Sequence, residues 1–214
     1  MLRIAPCTRA AAKHAVMSWH YSKSMPRGKL AMFGVWEHGR FVGAVIYAHG
    51  ANFRIGQPFG MQQTEVIELV RVALNRHETP VSRIISITLR MLKKACPGLR
   101  VIVSYADTAQ GHTGQIYKAG TWVYMGSFSA NHVLNGDGVV HKRSVFNKRG
   151  TTSGSGWVKA KPKHKFAYPL DKQAASILSL LRVTSIGSDA PGDQPGEGGA
   201  SPTVTLQTSP EATT

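Results

Sequence analysis

The sequence predicts one α/β domain built on a single mixed sheet, followed by a polar tail, and three observations lead there. Two apolar, β-rich runs, LAMFGVW and RFVGAVIYAHG, meet at Glu37-His38-Gly39 and read as an antiparallel hairpin. Farther on, a strand, a long amphipathic helix and a second apolar strand follow one another, the order that makes a parallel pair. After about residue 186 the composition shifts to Gly, Pro, Ser and Thr, which argues for disorder. A chain of 214 residues suffices for one well-buried domain and a tail, not for two full domains. The catalytic unit therefore reads as residues 1–172, with a short helix over 173–185 and a tail over 186–214.

Each element has its own reason. Thr8 is placed to cap a first helix that runs through the Ala-rich stretch to about His20. A basic loop, SKSMPRGK, follows, with Pro26 and Gly28 as breakers. Beyond the hairpin, a Gly-rich loop covers about 50–60 and EVIELVRVAL reads as a third strand, with Glu68 and Arg71 on opposite faces. Thr79-Pro80 supplies an N-cap and a proline at the first helical position. From there Ile84, Ile85, Thr88, Leu89, Met91, Leu92 and Ala95 recur at helical spacing until Pro97-Gly98. LRVIVSYAD is a buried strand that turns polar at its end. GHTGQIYKAG suits a short helix and WVYMGSF a final core strand. Residues of about 127–170 form a basic segment with strand-like pieces, VVHKRSVF and HKFAYPL, around a Ser/Thr/Gly stretch from Gly150 to Gly156.

Charge narrows the partner. Residues 1–185 hold all 26 basic side chains against 7 of the 11 acidic ones, a net +19, while the tail carries −4. Such a body calls for a polyanion, and nucleic acid is the natural one. The chain has no long apolar span and no lipidation signal. Cys7 and Cys96 form no CxxC pair, and MLRIAPCTRAAAKH has no apolar leader core, so reduced thiols in a cytoplasm are expected. Cys96, at the end of the amphipathic stretch, reads as a packing residue. The run Lys142, Arg143, Lys148, Arg149, Lys159, Lys161, Lys163, Lys165 is interleaved with Phe146, Trp157, Phe166 and Tyr168. That mixture suits phosphate contacts plus stacking or wedging aromatics on nucleic acid, against a plain solvated basic surface.

The densest chemistry lies in SYADTAQGHTGQIYKAG, past the carboxyl end of a buried strand, where sheets of this kind place their sites. Asp107, His112 and Tyr117 could supply a base, a shuttle and an acid, with Ser104 and Tyr105 beside the substrate. Asp107 reads equally as an Asx-turn or N-cap residue, and Tyr117 as a buried aromatic with a satisfied hydroxyl. His20 and Tyr21 end the first helix ahead of the loop to Lys29, a second candidate cluster, though a lone His there also reads as a helix cap. Arg71 lies in an apolar strand, so either Glu65 or Glu68 holds it or it binds an anion in a cleft. His20, His49, Asp107 and His112 could make a mixed nitrogen–oxygen metal site, but their spacing matches no standard motif. DPPY, a GxGxxG after a strand, the zinc-deaminase HxE with PCxxC and the Walker loop do not occur, which argues against methyltransferases, deaminases and P-loop enzymes.

Two resemblances follow from these motifs. Ile116-Tyr117-Lys118-Ala119-Gly120-Thr121-Trp122 resembles the LYxKxGF signature of the GNAT N-acetyltransferases, in which the tyrosine often protonates the leaving thiolate. Where that family carries its pyrophosphate-binding Q/RxxGxG/A, this chain has Asn75-Arg76-His77-Glu78-Thr79-Pro80. WHYSKSMPRGK, ELVRVAL, the SYADTAQGHTGQIYKAGTWVYMG block and KHKFAYPLD resemble the Mom family of phage DNA-modification proteins over about residues 10–172. That likeness implies a GNAT-like fold and conversion of adenine in double-stranded DNA to its carbamoylmethyl derivative, which protects phage DNA from restriction in the cytoplasm of an infected host. It implies a site of His20, Tyr21, Arg71, Asp107 and Tyr117, and a bound metal, iron, whose ligands the sequence does not place. A carbamoylmethyl group is an isomer of a glycyl group on the same nitrogen, so an activated glycyl or acetyl donor is expected, either glycyl-tRNA or a coenzyme A thioester. The missing pyrophosphate pattern favours tRNA. Two rivals stand beside this reading: an ordinary GNAT enzyme acetylating a protein or small amine, and a non-catalytic basic DNA-binding protein.

Overall fold

A computed structural model describes residues 1–49, 54–128, 131–135, 138–141, 157–159 and 161–185. Lys142, Arg143, Lys148, Arg149 and the tail from 186 lie outside them. Ten strands and four helices occur among the described residues: β1 (Leu2–Pro6), α1 (Arg9–Trp19), β2 (Leu30–Glu37), β3 (Arg40–Ala48), β4 (Val66–Leu74), α2 (Val81–Ala95), β5 (Val101–Asp107), α3 (Gln115–Lys118), β6 (Val123–Phe128), β7 (Asn131–Asn135), β8 (Gly138–His141), β9 (Trp157–Lys159), β10 (Lys163–Pro169) and α4 (Lys172–Ser185). Seven strands form one mixed sheet in the order β1-β2-β3-β4-β5-β10-β6, and β8-β7-β9 form a smaller one. Only β4 and β5 run parallel, as the strand–helix–strand order predicts.

One face of the large sheet is covered by α2 and α3, over Val45, Tyr47, Ile67, Leu69, Ile102 and Phe166. Residues Ile84, Ile85, Leu89 and Leu92 of α2 are buried there, which is the apolar stripe its periodicity announces. The other face has two covers. Helix α1 packs Ala12, Ala15 and Val16 against Ala44, Ile46 and Ala73, and α4 packs Ala174 and Leu178 against Val66, Val101, Val103 and Ala167. Between these covers the second face is polar.

Local chemistry accounts for the boundaries. The Thr8 hydroxyl accepts from the Ala11 amide and caps α1. The β2–β3 turn places both His38 and Gly39 at positive φ, as a tight two-residue hairpin requires. Four expectations need correcting. A strand, β1, precedes α1 and pairs with β2. Helix α2 begins at Val81, with Pro80 at the N-cap and no side-chain cap from Thr79. KHKFAYP is a central strand inserted between β5 and β6, not a surface piece, so WVYMGSF lies at the sheet edge. Cys96 is exposed rather than packed.

The largest departure is a bulge. Strand β4 pairs with β3 at Arg71↔Ile46 and then Leu69↔Tyr47, leaving Val70 as an extra residue. In a regular strand residues three apart point oppositely. The bulge cancels that, so Glu68 and Arg71 share the polar second face, against the expectation of opposite faces. On the far side, the ladder between β4 and β5 runs only from Val66↔Val101 to Leu69↔Ser104. Beyond it β4 stays with β3 and β5 with β10, and the two strands part.

Glu37 closes the β2 end of the domain. Its buried carboxylate accepts from the amides of Glu78 and Thr79 at 2.7 and 2.9 Å, and the Thr79 side chain first, then these amides, hold its pKa down at about 2. A carboxyl depressed in the folded state stabilises fully above its unfolded pKa and loses that contribution as pH falls through the folded one. Thermal unfolding of Glu37→Ala should therefore cost about 2 kcal/mol at pH 7. The deficit should shrink as pH drops from about 4.5 to about 2; a constant deficit across that window would disprove the assignment.

Candidate active site

The parting of β4 and β5 opens a cleft of about 420 Å³. Val70, Arg71, Val72 and Leu74 line one side and Tyr105 and Ala106 the other. His20 and Tyr21 from the end of α1, His77 and Val81 at the start of α2, and the 111–117 segment complete the wall. Two sequence-remote candidates, the His20-Tyr21 pair and the His112–Tyr117 loop, are thus brought together across the same opening.

Tyr117 stands at the fork. Its ring stacks on Phe166 at 4.9 Å and leans on Trp122 at 5.0 Å, which fixes α3 against the first face. The hydroxyl meets Ser104 Oγ at 2.8 Å, and that oxygen donates to the Leu69 carbonyl at 2.9 Å. Leu69 and Ser104 are the last paired residues of the two strands, so the phenol sits where the cleft begins. Burial pushes its pKa up, keeping it protonated at neutral pH. Gly114, at φ 82°, lets the chain enter α3 directly over the Phe166 ring, where any Cβ would collide.

At the mouth, Tyr21 stacks on His20 at 4.3 Å, meets His112 edge-on at 5.5 Å, and leaves 48% of its surface exposed. His20 Nδ1 accepts from the Ser22 amide at 3.1 Å, which places the neutral ring's proton on Nε2. Burial first, then the Arg71, His112 and Lys23 charges, lower the His20 pKa to about 4. Arg71 is braced by the Ser24 carbonyl at 3.2 Å and by the Val70 carbonyl at 2.7 Å. It both lines the cleft and feels the charge of Glu68, while Glu65 pairs with Arg100 instead at 3.4 Å.

Other expected residues lie elsewhere. Asp107 is not on the cleft wall: one oxygen holds Lys163 at 2.8 Å and the other accepts from the Ala109 amide at 3.0 Å, capping a short turn. Lys163 is therefore engaged, and Lys165 lies half-buried over the Phe59 ring at 4.8 Å; of Lys161, Lys163 and Lys165 only Lys161 is an exposed cation. Lys29 and His49 line a separate hollow with Leu92 and Cys96. His49 is thereby removed from His20 and His112, and among the described residues no group of three His, Cys, Asp or Glu is placed to hold a metal ion.

Glu68 is the residue the sequence reading missed as a candidate for chemistry. Its side chain makes no hydrogen bond or ion pair among the described residues. Burial raises its pKa to about 7, against the opposing pull of Arg71 and Lys163. Glu68 is not on the cleft wall but lies within electrostatic reach of Arg71, which is, and a carboxyl that titrates near neutrality is suited to accept a proton. The signal was present as an acidic residue in an apolar strand, but only the bulge reveals which face it shares.

A family model described as the Mom protein family matches residues 1–184. The comparison with curated proteins found no match. Similar solved structures include the ribosomal-protein-S18-alanine N-acetyltransferase of Escherichia coli, at 12% identity and TM-score 0.49, covering 80% of this chain and 95% of that one. A probable acetyltransferase of Staphylococcus epidermidis gives 8% identity and TM-score 0.49 over 80% and 100%. A Bacillus subtilis acetyltransferase in complex with CoA gives 10% and 0.46 over 79% and 98%. No helix among the described residues is long and apolar enough to cross a membrane.

Gly114 gives a direct check on how Tyr117 is positioned. Gly114→Ala should lower stability by about 1–3 kcal/mol through overpacking on Phe166 and should displace the Tyr117 hydroxyl from Ser104. Unchanged Tm together with unchanged Tyr117 ring shifts by NMR would contradict it.

Proposed function

The chain belongs to the Mom protein family, and from that premise we propose that it is an acyltransferase-like enzyme modifying the exocyclic amine of adenine in double-stranded DNA. The product is the carbamoylmethyl derivative, which shields phage DNA from restriction in the infected cell's cytoplasm. The observation that carries this reading is the convergence of a buried phenol, a guanidinium and an exposed aromatic stack on one cleft, backed by a carboxyl that titrates near neutral pH.

Each group has a task. Adenine must leave the stack before its amine can react, at a cost of a few kcal/mol. Tyr21, backed by His20, offers the flipped base a stacking surface, and His112 closes its edge. The neutral His20 avoids adding charge beside Arg71. The amine is a weak nucleophile because its lone pair is delocalised into the ring, so its proton must be removed as the new C–N bond forms. Glu68, rather than the ion-paired Asp107, accepts that proton directly or through one water. Arg71 holds the oxygen that gains charge at the attacked carbonyl. Tyr117 protonates the leaving group as its bond to the acyl carbon breaks. Asp107 and Lys163 position the turn that carries His112.

A glycyl donor would give a glycylamide on the adenine nitrogen, and an intramolecular rearrangement of that isomer would complete the product. Glycyl-tRNA and a coenzyme A thioester are the two donor classes. The described residues offer no three-ligand metal site, so no step is assigned to iron. Lys161, with the basic side chains of 142–149 from the sequence, would grip the DNA backbone, making binding steeply salt-dependent.

Nucleosides digested from DNA of cells expressing the protein should contain a deoxyadenosine heavier by a carbamoylmethyl group. Tyr117→Phe and Glu68→Gln should each lower the modification rate by about 100-fold or more while leaving DNA binding unchanged. The wild-type rate should rise as pH passes through about 7, where Glu68 ionises. Unmodified DNA from cells rich in folded protein would overturn the assignment.

A further inference from the structure

The large apolar side chains exposed among the described residues are Met1, Met17, Tyr21, Phe128 and Leu180. Met1 starts the chain, and Met17 and Leu180 sit on α1 and α4. The other two are rings, and both stand at the cleft. Tyr21 lines it, and Phe128, 44% exposed, rests edge-on at 5.3 Å against Tyr105 of the cleft wall.

Phe128 reaches that place through a second bulge. From Phe166↔Tyr124 to His164↔Ser127, strand β10 advances two residues while β6 advances three. Tyr124 lies on the first face, with its ring 5.5 Å from that of Phe166. Four residues on, a regular strand would return Phe128 to the same face. The extra residue inverts it, and Gly126, at φ 94°, supplies a backbone conformation that suits the bulge. Phe128 thus stands on the second face opposite Lys163, which is itself opposite Asp107. Its ring crosses β10 to meet Tyr105, whose own partner on β10 is Lys165. Two residues before Lys163 lies Lys161, an exposed cation.

A base that leaves a duplex vacates a gap of about 3.4 Å along its strand, close to the thickness of one aromatic ring. Proteins that open base steps insert apolar wedges of this kind, because the ring replaces the stacking that was lost. A wedge has to lie beside the pocket that takes the base, not inside it, and near cations that hold the backbone. Phe128 satisfies both conditions. It is one ring removed from the cleft lining, and its strand partner belongs to a lysine-bearing segment.

We propose that Phe128 is the wedge that enters the duplex as the target base moves into the cleft, with Tyr21 stacking on the extruded base. This rests on the reading of the chain as an enzyme of duplex DNA and names a further positioning residue for it. Phe128 touches neither the amine nor the donor; it acts by holding the stack open.

The test uses the full chain and a mixed-sequence duplex in which 2-aminopurine replaces adenine in one strand, since its fluorescence rises on unstacking. Wild-type protein should raise the signal. Phe128→Ala should lower the extruded fraction by about tenfold, the scale set by burying one phenylalanine ring. Phe128→Leu, still apolar, should keep most of it, and both variants should retain the wild-type Tm because the ring lies outside the core. With an abasic site opposite each 2-aminopurine, extrusion costs little and Phe128→Ala should match the wild type. Three outcomes would overturn the proposal: equal signals from Phe128→Ala and wild type on the paired duplex, a deficit that persists opposite abasic sites, or no rise with wild-type protein. Extrusion is read apart from the chemistry. A duplex that opens yet stays unmodified counts against the modification reading alone, and modified DNA with no dependence on Phe128 counts against the wedge alone.

Discussion

The site depends on a register break in one strand. Val70 has no partner on β3, and the extra residue changes what the rest of β4 can do. Before it, β4 lies parallel to β5; after it, the strands separate and a cleft passes into the sheet between them. The same break turns Arg71 onto the face that carries Glu68, and it leaves Ser104 as the last paired residue, where Tyr117 can reach it. Bulges raise local twist and end pairing. Here one residue of irregularity creates a binding space and aims a cation into it.

Charge is then distributed by burial rather than by pairing. Around the opening stand a neutral imidazole, a protonated phenol and a guanidinium held by carbonyls, with a carboxyl poised near pH 7 within electrostatic reach of the guanidinium. None of the four is locked in a close ion pair. Carboxylates that are paired, among them Asp107 with Lys163 and Asp171 with Arg100 at 3.1 Å, belong to turns and helix starts. Groups meant to exchange protons need accessible alternative states, whereas groups that hold the chain need fixed ones. The two sets are separate in this fold, and Glu37 shows the second kind of role at a helix entrance.

Much of this was legible in the sequence because it rests on local chemistry. The Thr8 cap, the hairpin at His38-Gly39, the apolar stripe of α2 and the buried strand ending in Asp107 follow from spacing and turn residues alone. The bulge does not, since a period-two reading carries straight through Val70 and sends Arg71 to the face opposite Glu68. The inner place of β10, legible only as a strand-like piece, was hidden for another reason. Lys163, His164 and Lys165 precede Phe166 and Ala167, so the segment reads as basic surface, although Phe166 is a core ring beneath Tyr117. Long lysine stems can lie along apolar surface while the sequence records only their charge. Strand β1 was missed because a short LRIAP run has too few residues to show a period.

Deleting Val70 tests the central claim most directly. The deletion leaves Leu69 on the first face and Arg71 on the second, so the core pattern is kept while the bulge is removed. The account predicts a folded protein, by circular dichroism and thermal unfolding, in which β4 pairs with β5 beyond Leu69 and modified deoxyadenosine disappears. A folded deletion variant that still modifies DNA at the wild-type rate would contradict it.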